Sequence, residues 1–321
     1  MRADTHMQAV SAFSQHVFDQ MGKVIVGQGG LKRGCLVALL CEGHALIEGV
    51  PGVAKTLAVR AMSHLLGMQY QRVQCTADLM PSDIIGTTIV NVTTAAFQFH
   101  AGPVFTDLLL VDEINRMPPR TQAALLECME ERQVTVDGER HSLPAFFTVF
   151  ATQNPVEFEG TYPLPEAQLD RFLLKIRVPY PDVAEEVQVL AMSNRGFDSK
   201  HLDAVGLTPT PPATLAEARR EVQAVTVEDS LLTYIVDLVR KTREWPSVSL
   251  GASPRAAVNA MRVAKALAAI DGRDYIIPDD VKEAAPLALG HRLVLKPEAD
   301  LEGVTAEQVL ADVIRSTDVP K

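Results

Sequence analysis

The sequence predicts an α/β core built on a parallel sheet, carrying β-hairpin insertions and followed by an all-helical domain. Three observations predict it. Short apolar runs alternate with amphipathic stretches between about residues 44 and 154. A glycine-rich turn and a pair of carboxylates close two of those runs. Beyond Pro179-Tyr180-Pro181 the pattern is helical throughout. Strand–helix alternation of this kind calls for parallel strands with helices on both faces of the sheet.

Residues 8–22 set Val10, Phe13, Val17 and Met21 at helical spacing, and a second helix runs from about Gly30 to Cys41. HALIEG (44–49) is a short apolar strand entering a Gly/Pro turn, and LAVRAMSHLLG (57–67) is the helix after it. YQRVQCT (70–76) and TTIVNV (87–92) are strand-prone, and FHAGPVF (99–105) reads as a loop. LLLVDEIN (108–115) and AFFTVFATQN (145–154) are continuously apolar, as strands buried on both faces must be, and TQAALLECMEE (121–131) is the helix between them. Two stretches interrupt this alternation, residues 84–100 and 132–143, and both predict β-hairpins. The second contains Asp137-Gly138, the strongest short hairpin signal.

VGLTPTPPAT (205–214) is a proline-rich connection, in which Thr214 and Glu217 have capping-box spacing. EDSLLTYIVDLVRKTREW (228–245) is a strong helix, Ser253 and Pro254 suit the N-cap and first residue of another, and Pro278 opens a third. The expected division is an α/β core over 1–181 and a helical domain with its linker over 182–321.

Apolar residues make up 47% of the 321 positions and charged residues 22%, the balance of an ordinary globular chain. The net charge of -10 argues against a sequence-independent nucleic-acid binder, which needs a basic footprint. The start, MRADTHMQAVSAF, lacks the basic-then-apolar pattern of a secretory signal, and no apolar run approaches the roughly 20 residues that span a bilayer. A cytoplasmic location is expected. Cys35, Cys41, Cys75 and Cys128 form no CxxC pair or zinc-site spacing, so reduced, buried thiols are expected.

Three strand ends carry the chemistry. Gly49-Val50-Pro51-Gly52-Val53-Ala54-Lys55-Thr56 fits the phosphate-cradling pattern G-x-x-x-x-G-K-[ST] except at Ala54. Its backbone N–H groups and the following helix start suit phosphates, Lys55 suits the β- and γ-phosphates, and the Thr56 hydroxyl suits Mg²⁺. Alanine at 54 is compatible with close phosphate approach if its backbone angles are ordinary. Leu108-Leu109-Leu110-Val111-Asp112-Glu113 ends in two acids. Asp112 is placed to hold the magnesium shell and Glu113 to orient and polarise an attacking water, which favours hydrolysis over transfer to another substrate. Asn154, before Pro155, ends the third strand; its amide suits the γ-phosphate, although Asn-Pro is also a routine turn opener. Arg171, in LPEAQLDRF, and Arg255, in GASPRA, are candidate guanidinium groups for a developing γ-phosphoryl charge, which a neighbouring subunit can supply.

The series VIVGQ, GVPGVAKT, LLLVDEINR, FATQNP, LPEAQLDRF and GASPRA resembles the MoxR family of AAA+ ATPases across nearly the whole chain. The resemblance implies a P-loop NTPase AAA+ core with a helical lid, ATP and Mg²⁺ as ligands, and ATP hydrolysis. It implies Walker A roles for Lys55 and Thr56 within the loop Gly49, Pro51, Gly52, Val53, Ala54 and Leu57, and Walker B roles for Asp112 and Glu113. Asn154 corresponds to sensor 1, Arg171 to an arginine finger inserted into the next subunit, and Arg255 to sensor 2, coupling the nucleotide to the lid. Val26, Gly27 and Gln28 would line the adenine pocket. A homo-oligomeric, hexameric ring is implied, together with chaperone-like maturation or metal or cofactor insertion in a client complex and a von Willebrand factor A domain partner. A nucleic-acid motor of the helicase-like branch is the competing expectation, disfavoured by the acidic balance. A nucleotide-binding scaffold with little turnover is disfavoured by Glu113 and Arg171.

Overall fold

The structure, a computed structural model, describes residues 7–91, 96–155 and 160–320. The signal-peptide reading falls largely on residues 1–6, which lie outside the described residues, as does Val92 of the first hairpin.

The chain begins with α1 (Gln8–Gly22), α2 (Gly29–Leu40), β1 (Ala45–Gly49) and α3 (Lys55–Leu65), followed by β2 (Tyr70–Gln74) and the short α4 (Pro81–Ile85). The hairpin β3 (Gly86–Asn91) and β4 (Ala96–Ala101) precedes β5 (Leu108–Asp112) and α5 (Pro119–Glu131). A second hairpin, β6 (Gln133–Val136) and β7 (Glu139–Ser142), leads into β8 (Thr148–Gln153), α6 (Glu166–Leu169) and β9 (Leu174–Val178). The remainder contains α7 (Val183–Asn194), α8 (Pro212–Ala224), α9 (Asp229–Glu244), β10 (Val248–Leu250), α10 (Pro254–Ile270), α11 (Pro278–Leu289), β11 (Val294–Leu295), α12 (Pro297–Leu301) and α13 (Ala306–Ser316).

The five-stranded sheet has the order β2-β5-β8-β1-β9, and each neighbouring pair is parallel. Alternate strand residues point to opposite faces, and both faces are covered. Ala45, Ile47, Leu108, Leu110 and Phe150 join α1, α2, α3 and the C-terminal helices in one apolar cluster. Leu46, Leu109, Val111, Val149 and Ala151 join α5 and the second hairpin in the other. The α1 stripe of Val10, Phe13, Val17 and Met21 is at most 3% exposed, and α1 packs against α8, α3 and α10. The four cysteines are free and buried, and burial pushes each thiol up to about 12.

Several expectations need correction. FHAGPVF is not wholly a loop, because Phe99 to Ala101 belong to β4 and complete its ladder with β3. The C-terminal part is not entirely helical: β10 and β11 pair antiparallel, Val248 opposite Leu295. Thr214 caps nothing, since α8 already starts at Pro212, whose ring fixes a helical φ, and the Thr214 N–H donates to the Pro211 carbonyl. The Ser253 cap does form, its hydroxyl accepting from the Ala256 N–H at 3.2 Å. Asp137 and Gly138 both have positive φ, 50° and 85°, as a type I′ hairpin turn requires.

Candidate nucleotide site

The C-terminal ends of β1, β5 and β8 are side by side in the sheet, so the three motif-bearing segments that follow them open into one space. A cavity of about 480 Å³ lies there, lined by Pro51, Gly52, Val53, Ala54, Lys55, Thr56, Leu57, Asp112, Glu113 and Asn154. Val26 and Gln28 close one side; Pro181, and Val189 and Met192 from α7, close another. Arg60, one helical turn beyond Thr56, and Thr152 also line it.

The loop after β1 is shaped by backbone geometry. Gly52 has φ +86°, and Ala54 has φ +64°, so the alanine does not have ordinary angles but occupies the left-handed region that favours glycine. Such a conformation costs an alanine roughly 1–2 kcal/mol. It turns the chain into α3, whose N-cap is Ala54 with no side-chain cap and whose first turn has no acid. The N–H groups at that helix start therefore face the cavity without a side-chain competitor, an arrangement suited to an anion. Lys55 Nζ donates to the Gly49 carbonyl and, at 3.2 Å, to that of Val50, which holds the ammonium within the loop. Gly49 has no room for a side chain, since a Cβ there would lie 2.8 Å from the Val178 carbonyl oxygen. Gly27 does not line the cavity: it supports Gln28, at φ +49°, and a Cβ on it would overlap the Glu185 carboxylate. The Gln28 amide donates to the Pro179 carbonyl at 3.0 Å, tying this segment to the far side of the pocket.

The acids are held by a network. The Thr152 hydroxyl donates to Asp112 Oδ1 at 2.5 Å and accepts the Glu113 N–H at 2.9 Å. Asp112 Oδ2 accepts from Arg72 Nη2 at 2.7 Å and Nε at 3.2 Å. Gln74 Nε2 donates to Glu113 Oε2 at 3.1 Å, and Arg116 pairs with the same oxygen at 3.2 Å. Glu113 sits at φ +60°, so the chain turns sharply after the strand. Among the described residues no group of three or more His, Cys, Asp or Glu is gathered to hold a metal. The donor set instead suits a hard cation held by Thr56 and Asp112, with phosphate and water oxygens completing its shell.

Two predicted site residues lie elsewhere. Arg171, two residues past α6, donates to the Leu126 carbonyl at 3.1 Å and pairs with Glu130; Arg255 pairs with the other Glu130 oxygen at 3.2 Å. Both line a second pocket with Glu42, Gly43, His44, Arg132 and Arg262. Glu42 to His44 precede β1 and Arg171 precedes β9, so this cluster lies at the N-terminal ends of the strands, opposite the cavity. Arg255, expected to couple the nucleotide to the lid, is thus separated from its own chain's cavity by the length of the sheet. Sequence reasoning had missed Arg72, Gln74, Thr152 and Glu130. The β2–β5 register, which puts Gln74 beside Asp112, is the signal that could have found the first two.

Comparison with known proteins agrees with this architecture. Residues 44–174 match the model of the ATPase family associated with various cellular activities (AAA), and residues 240–313 match the AAA lid domain. Chaperone MoxR1 of Mycobacterium tuberculosis is 41% identical over 94% of this chain and 81% of its own length. The chain belongs to the MoxR family of AAA+ ATPases. A crystal structure of a candidate ATPase from Cytophaga hutchinsonii superposes on this chain with a TM-score of 0.88 at 41% identity, covering 98% of each. The magnesium-chelatase 38 kDa subunit of Acidiphilium rubrum is 27% identical over 89% of this chain and 95% of its own. No helix among the described residues is long and apolar enough to cross a membrane.

Proposed function

We propose that this MoxR-family chain binds ATP with Mg²⁺ in the cavity at the strand C-termini and hydrolyses it within a head-to-tail ring. The observation that carries it is the division of labour across one sheet. Lys55, Thr56, Asp112, Glu113 and Asn154 converge at one end, while Arg171 and Arg255 share Glu130 at the other. A heterologous contact that repeats around a ring brings one protomer's arginines to the next protomer's cavity. On this reading residues 1–181 act as the core and 182–321 as the lid.

The α3 N–H groups and Lys55 bind the phosphates, and Glu113 orients the attacking water and accepts its proton. Thr56 and Asp112 hold Mg²⁺, which when bound neutralises charge on the phosphate oxygens. Asn154 hydrogen-bonds the γ-phosphate, and the neighbour's Arg171 and Arg255 stabilise the charge that develops there. The faces that would meet carry suitable chemistry. Val183, Val187 and Leu190 form an exposed apolar stripe along α7 next to the cavity, with exposed Tyr180 just before the helix and Asp182, Glu185 and Glu186 around its first turn. Val258, three residues beyond Arg255 on α10, is exposed, and Arg132 and Arg262 line the same pocket as Arg255. Loss of the γ-phosphate contacts then becomes relative movement of protomers.

A hexameric ring acting in the cytoplasm, with a von Willebrand factor A domain partner, would apply that movement to client complexes through the two hairpins. Maturation or metal or cofactor insertion is the expected outcome, an inference supported by likeness to the chaperone and magnesium-chelatase relatives. Phosphate release by the wild type and Glu113→Gln tests the catalytic core: the variant is expected to lose turnover by about 10²-fold or more while still binding ATP. Equal rates would remove Glu113 from the chemistry.

A further inference from the structure

We propose that the Arg72 guanidinium is a built-in counter-ion of the cation site: it occupies Asp112 when no divalent cation is bound and yields that carboxylate when one arrives. This rests on Asp112 being a cation ligand of the nucleotide site. Both Asp112 oxygens are engaged, but unequally. Oδ1 is held by the Thr152 hydroxyl, which also fixes the Glu113 backbone, so this bond belongs to the frame. Oδ2 takes both Arg72 bonds, from Nη2 and Nε, so the oxygen left for a metal is the one the guanidinium covers.

The burial of the pair points to which partner moves. The Asp112 side chain is 14% exposed and the Arg72 side chain 48%, and β2 is an edge strand of the sheet. Arg72 can therefore swing into water at small desolvation cost, whereas Asp112 cannot leave. Electrostatics supply the need: Asp112 and Glu113 are adjacent acids beside a cavity suited to a triphosphate; Arg116 offsets Glu113, and Arg72 is the cation paired with Asp112. Arg72 supplies positive charge until the metal does.

The same side chain reaches further. Arg72 Nη2 donates to Gln74 Oε1 at 2.6 Å, and Gln74 donates in turn to Glu113. Residues 72 and 74 share one face of β2, so the relay Asp112–Arg72–Gln74–Glu113 runs along it. Release of Arg72 frees the Gln74 carbonyl oxygen, so cation arrival at Asp112 is felt by the group that holds the second acid.

The test is a Mg²⁺ titration of a fluorescent non-hydrolysable ATP analogue bound to the full chain, comparing wild type with Arg72→Gln and Arg72→Lys. Removing the competitor is expected to lower the half-saturating Mg²⁺ about fivefold, the worth of one half-exposed ion pair. Metal-free affinity for the analogue should fall by a similar factor, with Arg72→Lys intermediate in both. A merely structural role would weaken binding with and without metal alike, and that result would overturn the proposal, as would an unchanged or higher Mg²⁺ requirement. Wild-type binding indifferent to Mg²⁺, or undiminished in Lys55→Ala, would instead overturn the nucleotide-site reading and this proposal with it.

Discussion

Mixing two inactive variants offers the sharpest test of a site shared between protomers. Lys55→Ala removes the phosphate-binding ammonium, and Arg171→Ala removes the guanidinium at the other end of the sheet. The strand between those ends, β1, has five residues, and at about 3.3 Å per residue it separates them by ~17 Å, beyond the reach of any side chain. Each variant alone should hydrolyse ATP slower than wild type by a factor on the order of 10³. In a random one-to-one mixture an interface is productive when its cavity comes from the Arg171→Ala chain and its arginine from the Lys55→Ala chain. That combination arises at about one interface in four, so the mixture should recover about a quarter of wild-type turnover. Steady-state phosphate release at fixed total protein measures it, with mass photometry establishing that mixed rings form. A mixture no faster than its components, in rings of proven mixed composition, would refute the division of the site between neighbours.

Two further outcomes follow from the network around the acids and from a buried histidine. Thr152→Val keeps the shape of a buried side chain but strands the Glu113 N–H and one Asp112 oxygen; it should cost about 1–3 kcal/mol in chemical denaturation and lower turnover with it. His44 is buried between strand and helix, with Nδ1 accepting from the Val149 N–H at 2.9 Å and Nε2 donating to the Met129 carbonyl at 3.0 Å, and burial pulls it down to about 4 from 6.5. Since the unfolded chain takes up the proton first, stability is full above pH 6.5 and falls by about 3 kcal/mol as pH drops toward 4. Denaturant midpoints at pH 7.5 and 5 for wild type and His44→Asn check this; an equal pH slope in both would assign the acid sensitivity elsewhere, His291 being a second histidine lowered by burial.

Much of the core was legible because its strands are buried on both faces and so read as unbroken apolar runs, each closed by a residue type that has only a few chemical uses. β9 escaped notice for the opposite reason: Lys175 and Arg177 interrupt its apolar residues, and only the fold shows that both cations pair with Glu48 on β1, at 2.6 and 3.3 Å. α4, with five residues, is too short to show a period. The strained angles at Ala54 and Glu113 leave no trace in composition, since nothing about an alanine or a glutamate announces a positive φ. Thr152, Arg72 and Gln74 act through strand register, which pairs residues some 40 positions apart and is invisible to any local motif.

The position of the two arginines bears on what hydrolysis can do. A guanidinium on the same side of the sheet as Lys55 would report the nucleotide only to its own protomer. Arg171 and Arg255 are instead anchored to one carboxylate, Glu130, at the end of α5, and α5 leads directly into the second hairpin through Arg132. That hairpin touches the first through the stacked rings of Phe99 and His141, 4.0 Å apart. On the proposed reading, displacing the arginines when a neighbour's γ-phosphate departs acts on an element continuous with the second hairpin and, through it, in contact with the first. An ion pair exchanged at Glu130 would thus need no long-range wire to reach the hairpins: the helix that carries the acid also carries the insertion.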